Sequence, residues 1–91
     1  MNAIHVEKNP AEQRLQKLGV RSWAIWTKEI SSFPWHYDEQ EICYFLEGSV
    51  VVTPANGEPV QIWKGDLVTF PEGMDCVWEI KEPVRKHYLF G

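Results

Sequence analysis

The stretch EICYFLEGSVVVT, residues 41–53, is rich in β-branched and aromatic residues. Such residues favour extended structure, so this stretch predicts a long strand that is interrupted at Glu47-Gly48. Downstream, GDLVTFPEG at residues 65–73 predicts a shorter strand between a glycine and a Pro-x-Gly turn. Two such strands with a turn-rich connection between them indicate antiparallel pairing.

Further β-prone segments continue this pattern over the chain that follows Gly19. They are residues 22–30, 60–63, 67–70, 75–80 and 84–90, with turn signals at 54–59, 64–66, 71–73 and 81–83. Many short strands separated by turns predict an antiparallel sandwich or closed barrel rather than a parallel α/β sheet.

One short helix is predicted at residues 10–18. Asn9 is expected to cap it, Pro10 suits its first position, and Gly19 ends it. A helix of this length is not stable alone, so it must pack on the sheet. The strand at 41–53 carries apolar residues on both faces, so either this helix or a second copy of the chain must cover its outer face.

Composition excludes several classes of protein. Ninety-one residues make one domain, and 13 acidic against 9 basic residues, with no basic block, argue against nucleic-acid binding. No apolar run approaches the roughly 20 residues of a membrane span, and the first residues lack the features of a signal peptide. Cys43 and Cys76 form no disulfide framework or CxxC motif, so we expect a cytoplasmic protein with reduced thiols.

The spacing within the two quoted stretches resembles the two motifs of the cupin superfamily. Six residues separate Glu41 from Gly48, five separate Gly65 from Pro71, and Gly73 follows after one more. In that family the glycines and the proline turn the chain sharply between strands. The whole chain is similar to small single-domain cupins related to the cupin domain of (S)-ureidoglycine aminohydrolase.

This resemblance implies an all-β fold, the cupin-type antiparallel β-barrel (double-stranded β-helix, or jelly roll) with one short N-terminal helix. The domain would span residues 1–91, with the helix at about 10–18 and the barrel at about 20–90. We expect the protein to form a homodimer.

The resemblance also implies a metal site, although this chain keeps only part of the motif. His36 and Glu41 stand at two of the ligand positions, Pro34 replaces the first histidine, and Cys76 replaces the last. Imidazole, carboxylate and thiolate suit a divalent transition metal, so His36, Glu41 and Cys76 are candidate ligands of Zn, Mn or Fe. The alternative is that no metal binds, Cys76 being a small buried hydrophobe.

The expected pocket is a mixture of aromatic and polar side chains. By the period of two along a strand, Cys43 and Phe45 face inward with Glu41, and Trp78 faces inward with Cys76. Trp35 and Tyr37 lie beside the incomplete ligand motif and are expected at the mouth. Such a mixed lining is typical of a site for a small molecule. The other tryptophans, Trp23, Trp26 and Trp63, are predicted to be core. Residues 85–88 are predicted to form a solvated edge strand, the alternative being that Arg85 with His87, or Lys86 with Tyr88, holds an anionic substrate.

Two functions follow from these residues. The first is a metal-dependent enzyme that acts on a small polar metabolite, as the similarity to ureidoglycine aminohydrolase implies. The second is a non-catalytic cupin that binds a small molecule and has a degenerate metal site. His36, Glu41 and the thiol of Cys76 favour the first function and Pro34 favours the second, so whether the protein is an enzyme stays open.

Overall fold

Seven antiparallel strands form the body of the protein in the computed structural model, which describes residues 3–91. The strands are β1 (His5–Lys8), β2 (Ala24–Lys28), β3 (Ser31–His36), β4 (Glu41–Pro54), β5 (Val60–Trp63), β6 (Asp66–Phe70) and β7 (Asp75–Phe90). One helix, α1 (Glu12–Leu18), is followed by a single 3₁₀ turn, Val20–Ser22. Within residues 3–91, no helix has the length and apolar character needed to cross a membrane.

The two longest strands, β4 and β7, pair with each other from end to end, with irregularities near Glu47. β4 also pairs with β6 through its first residues and with β5 through its later ones. β7 pairs with β3 through residues 75–80 and with β2 through residues 84–88. β1 pairs with β6. This arrangement of antiparallel strands with one short helix confirms the predicted fold class.

Several strand limits differ from those predicted. Residues 75–90 form one continuous strand, although Pro83 lacks an amide hydrogen, because β4 pairs with β7 both before and after it, while β3 flanks residues 75–80 and β2 flanks residues 84–88. The segment containing Pro34 forms β3 along the first half of β7. The N-terminal strand β1 was not expected, since its four residues carry no clear alternation.

The residue that caps the start of α1 differs from the one predicted. Ala11 is the N-cap residue and makes no side-chain capping bond, so Asn9 is not the cap. Asn9 instead has a φ of 44°, which turns the chain out of β1 two residues earlier. The predicted end is confirmed, because Gly19 adopts the left-handed conformation with a φ of 72° and its amide donates to the carbonyl of Gln16.

The outer face of β4 is covered by the chain's own N-terminal segment. Leu15 and Val20 form a small buried cluster with Leu67, and Ile42 and Tyr44 pack against it. The helix, one of the two covers considered from the sequence, therefore reaches this face.

The main core lies on the other face of the strands. Its buried residues are Tyr37, Cys43, Phe45, Val50, Val52, Ile62, Val68, Phe70, Cys76, Trp78, Ile80 and Val84. The expectation that Trp63 belongs to the core is wrong, since 51% of this residue is exposed. The alternation along β5 explains this, because Val60 and Ile62 face the core and Trp63 faces away from it.

The backbone of the neighbouring strand β7 leaves room for no residue other than glycine at position 48. Its φ is 105°, and a Cβ at this position would lie 2.5 Å from the carbonyl oxygen of Pro83 and 2.8 Å from the Cα of Val84. The glycine of the first motif thus permits β4 and β7 to approach closely where their register shifts.

Candidate functional site

A cavity of about 210 Å³ opens against one side of the main core. Most of its wall is aromatic, and two charged side chains lie in it. The lining residues are Trp26, Phe33, Trp35, Tyr37, Glu41, Trp78, Lys86, Tyr88 and Phe90. A largely apolar cavity with a few convergent polar groups is the usual form of a small-molecule site.

The strand register places the two charges together. Lys86 on β7 lies directly opposite Phe45 of β4 on one side and Trp26 of β2 on the other. Glu41 begins β4 and lies opposite Phe90, four residues along β7 from Lys86. Because directly opposite and alternate residues share a face of the sheet, the side chains of Glu41 and Lys86 meet in the interior.

Glu41 and Lys86 form a buried ion pair. The Lys86 Nζ donates to Glu41 Oε2 at 3.2 Å and to Cys43 Sγ at 3.2 Å. The side chains of Lys86 and Glu41 are only 4% and 6% exposed. An isolated buried charge is costly, so each of the two groups depends on the other.

Aromatic rings complete the surroundings of the ammonium group. The Lys86 Nζ lies 4.8 Å from the ring centroid of Trp78 and 4.9 Å from that of Trp26. A cation over the face of an indole ring is attracted by the ring's negative face. The carboxylate and the two indoles therefore hold a positive charge at the inner wall of the cavity.

Two buried polar groups on residues that line the cavity make no well-formed hydrogen bond among the described residues. They are the hydroxyl of Tyr37 and the Nε1 of Trp78, and both are buried. Burial, with the neighbouring Glu41 carboxylate as the next cause, raises the pKa of Tyr37 far above its ordinary value, so this hydroxyl stays protonated. The Trp78 Nε1 lies close enough to the Tyr37 hydroxyl to lower its pKa as a hydrogen-bond donor, so the Tyr37 hydrogen is the one left without an acceptor among the described residues.

Tyr37 is held firmly although it lies between strands. Its amide donates to the carbonyl of Met74 at 3.0 Å, and its carbonyl accepts from the amide of Gly73. Its ring stacks on that of Phe70, with centroids 4.9 Å apart. The Pro-x-Gly turn of the second motif thus positions a residue of the cavity.

The three predicted metal ligands are not arranged as a ligand set. The His36 side chain is 51% exposed, and its Nδ1 lies 2.8 Å from Asp75 Oδ1. The Cys76 thiol donates weakly to the carbonyl of Trp35 at 3.6 Å. Across residues 3–91, no group of three or more His, Cys, Asp or Glu side chains is suited to hold a metal ion.

The charge of the site also fits a metal poorly. Glu41, the one predicted ligand that lines the cavity, is already paired with the Lys86 ammonium. A divalent cation at the same carboxylate would stand beside a buried positive charge, which is unfavourable at low dielectric. The residues present therefore do not fit a metal centre of the kind predicted.

The predicted pocket residues fall into two groups. Trp35, Tyr37 and Trp78 line the cavity. Cys43 and Phe45 do not line it, because they are packed in the core, where both contact Lys86. Trp26 packs against the core cluster, and its half-buried ring also forms part of the cavity wall.

The sequence singled out Lys86 only within a basic cluster that could hold an anionic substrate, not as a buried residue of the cavity wall. Its segment was expected to be a solvated edge strand, and this is wrong, because β7 is paired on both sides. The alternation along the strand does place Lys86 on one face with Val84, Tyr88 and Phe90. A single lysine among apolar residues of the same face was the available signal for a buried charge.

At neutral pH we expect both cysteines to be thiols that alkylate slowly. Burial raises the pKa of Cys76 from 9.0 to about 11, and burial also raises the pKa of Cys43. Because the thiolate is the nucleophile, iodoacetamide labelling of Cys76 should quicken about tenfold per pH unit until the pH nears 11. Mass spectrometry of the native protein measures this rate. Labelling of Cys76 at neutral pH as fast as that of a cysteine peptide would contradict the expectation.

The model of the EutQ-like cupin domain matches residues 15–88, which is most of the chain. Among solved structures, a DUF861 family protein from Thermotoga maritima is 49% identical with a TM-score of 0.95. That match covers 98% of this chain and 100% of the other.

Two more distant structures carry the same fold. The EutQ protein of Clostridium difficile is 17% identical, with a TM-score of 0.66 over 96% of this chain and 66% of that one. A putative ethanolamine utilization protein Q from Salmonella typhimurium is 25% identical, with a TM-score of 0.66 over 98% and 69%. No curated protein matches the chain.

Proposed function

The chain belongs to the EutQ-like cupin family, and from this premise we propose that it binds a small organic molecule in its barrel cavity without a metal. The observation that carries this proposal is the buried Glu41–Lys86 pair in the wall of an aromatic cavity. The pair supplies fixed polar groups, and the rings supply apolar contact area, which together are what small-molecule recognition needs.

The size of the cavity limits the ligand. Its volume of about 210 Å³ is below the roughly 300–1,000 Å³ of pockets for drug-sized molecules. The parallel rings of Phe33 and Trp78, with centroids 6.0 Å apart, and the edge contact of Trp26 with Trp78 give the wall flat surfaces. A small, flat molecule would fill this space.

The charge of the cavity argues for an uncharged ligand. Of the lining residues, Glu41 and Lys86 are the charged ones, and they neutralise each other at 3.2 Å. A ligand carboxylate or amine would bring a third charge without a partner into an apolar space, at a cost of several kcal/mol. A neutral ligand with polar atoms avoids that cost.

The alternative, metal-dependent chemistry like that of ureidoglycine aminohydrolase, stays a prediction that the site does not favour. It would require His36 to leave Asp75, and Lys86 to leave Glu41, before a metal could be ligated. Uptake of Zn, Mn or Fe by the purified protein, abolished by Glu41→Gln, would support that alternative.

Matched aromatic probes test the binding proposal. We expect benzyl alcohol to bind with a Kd of about 1 mM, which is about 0.5 kcal/mol for each of its eight non-hydrogen atoms. Benzoate, of the same shape but charged, should bind at least tenfold more weakly. Ligand-observed NMR measures both values.

Two tryptophan variants locate the binding. Trp26→Ala removes part of the cavity wall and should abolish benzyl alcohol binding, whereas Trp63→Ala changes an exposed ring outside the cavity and should leave it unchanged. Equal binding by benzoate and benzyl alcohol, or no binding by either, would refute the proposal.

A further inference from the structure

We infer that Lys86 captures small aldehydes or ketones in the cavity as a reversible imine. The inference rests on the proposed ligand binding and goes beyond it, because it names the reactive group of the ligand and gives the buried lysine a chemical role. It is carried by the position of the Lys86 amine, the carboxylate beside it and the unpartnered Tyr37 hydroxyl of the cavity wall.

The amine is positioned as a nucleophile inside the cavity wall. Lys86 lines the cavity, yet its side chain is 4% exposed, and its backbone lies in a strand paired on both sides. Such a fixed nitrogen loses little freedom when it forms a bond to a ligand. An amine in an apolar pocket is one of the recognised arrangements for lysine nucleophiles.

The carboxylate beside the amine can accept its proton. Glu41 Oε2 lies 3.2 Å from Lys86 Nζ, within reach for direct proton transfer. Transfer converts a buried ion pair into a neutral amine and a neutral carboxylic acid, so no unpaired charge is created. An exposed lysine has no such fixed base in an apolar setting.

The unpartnered Tyr37 hydroxyl fits a carbonyl oxygen. It has a hydrogen to donate and no acceptor among the described residues, and the Trp78 Nε1 lies beside it. A carbonyl oxygen is an acceptor only, and an aldehyde or ketone is uncharged, as the balanced Glu41–Lys86 pair requires. A carbonyl compound therefore satisfies both the hydrogen bonding and the charge of the cavity.

The steps balance without a further reactant. Glu41 takes a proton from the ammonium, and the nitrogen lone pair attacks the carbonyl carbon while the carbonyl π electrons move to oxygen. A proton passes from nitrogen to that oxygen and gives a carbinolamine. The Glu41 acid then protonates the hydroxyl group, the carbon–oxygen bond breaks, water leaves and the nitrogen lone pair forms the C=N bond.

The product keeps the charges of the starting site. A protonated imine replaces the ammonium, one water is released, and Glu41 is again a carboxylate. The cationic nitrogen would remain beside Glu41 and over the faces of Trp26 and Trp78. The groups that stabilise the free ammonium would therefore also stabilise the imine.

Reductive trapping tests the inference with the intact chain. The protein is incubated with benzaldehyde and cyanoborohydride, which delivers a hydride to the imine carbon and fixes it as a secondary amine. We expect the chain mass to rise by the mass of benzaldehyde less one oxygen atom. Peptide mapping should place the adduct on Lys86, formed at least tenfold faster than on Lys81, whose side chain is 56% exposed.

Three variants separate capture by Lys86 from surface reaction. Lys86→Arg keeps a cation for Glu41 but should lose the fast adduct, and Glu41→Gln should slow it at least tenfold because the proton acceptor is gone. Lys81→Arg should leave it unchanged. If Lys86→Arg fails to fold, the peptide map of the unaltered chain decides alone.

The outcomes also distinguish this inference from the proposed function. An adduct on Lys86 no faster than on Lys81, with benzyl alcohol still binding, overturns imine capture and leaves the binding proposal intact. Absence of both the fast adduct and benzyl alcohol binding overturns both. A fast adduct on Lys86 that benzyl alcohol suppresses supports both.

Discussion

Replacing Lys86 with methionine is expected to lower the free energy of unfolding by about 3–5 kcal/mol, the usual cost of removing one partner of a buried ion pair. The change leaves the Glu41 carboxylate in the cavity wall without its ammonium partner, while its side chain is only 6% exposed. It also removes the cation from the faces of Trp26 and Trp78. Denaturant unfolding followed by circular dichroism measures the loss.

A double substitution tests whether the loss of stability comes from the unpaired charge of Glu41. Lys86→Met combined with Glu41→Leu removes both charges, so we expect it to recover most of the stability that Lys86→Met loses. Lys81→Met is the matched control, because Lys81 lies 3.5 Å from Glu79 in an exposed pair and its loss should cost within about 0.5 kcal/mol. A cost of Lys86→Met no larger than that of the control would show that the buried pair contributes nothing.

The substitution Gly48→Ala should cost about 2–6 kcal/mol. Backbone strain in the left-handed region accounts for about 1–3 kcal/mol, and a Cβ forced against packed neighbours accounts for about 1–3 more. The new Cβ would lie 2.5 Å from the Pro83 carbonyl oxygen and 2.8 Å from the Val84 Cα, both backbone atoms of β7 that cannot move aside cheaply.

Gly73→Ala is the matched control for this steric effect. Gly73 also has a positive φ, of 85°, but a Cβ added at this position would meet nothing within 4 Å among the described residues. Gly73→Ala should therefore lose only the stability that backbone strain costs, about 1–3 kcal/mol. Thermal and denaturant unfolding of the two variants compare them, and equal losses would mean that the approach of β4 to β7 is more adaptable than its geometry indicates.

Much of the fold could be predicted because its signals are local. The residue types of 41–53 and of 65–70 specify strands, and Gly48, Gly65 and Gly73 specify the turns and close approaches beside them. Each of these features is decided by a few neighbouring residues. The first and last residues of β7 were harder to predict from the sequence, because strand pairing on both sides of β7 overrides the local effect of Pro83.

The candidate site was less predictable because it depends on register between distant strands. The alternation of side chains along a strand places Glu41 and Cys43 on one face of β4. It also places Lys86 on one face of β7, but it does not predict that these two faces lie together. The pairing of Phe45 with Lys86 decides that, across 41 positions of the sequence. Counting motif positions likewise placed His36 among metal ligands, whereas in the structure it pairs with Asp75 on the outside.

The long strand β7 has a consequence for how the chain acquires its structure during translation. It pairs with β2, β3 and β4, all of which precede it. While a ribosome is synthesising the chain, those three strands emerge before the partner that joins them. Their unpaired edges stay open until residues 75–90 have been added, so we expect the nascent chain to fold late and to be most prone to aggregation just before that point.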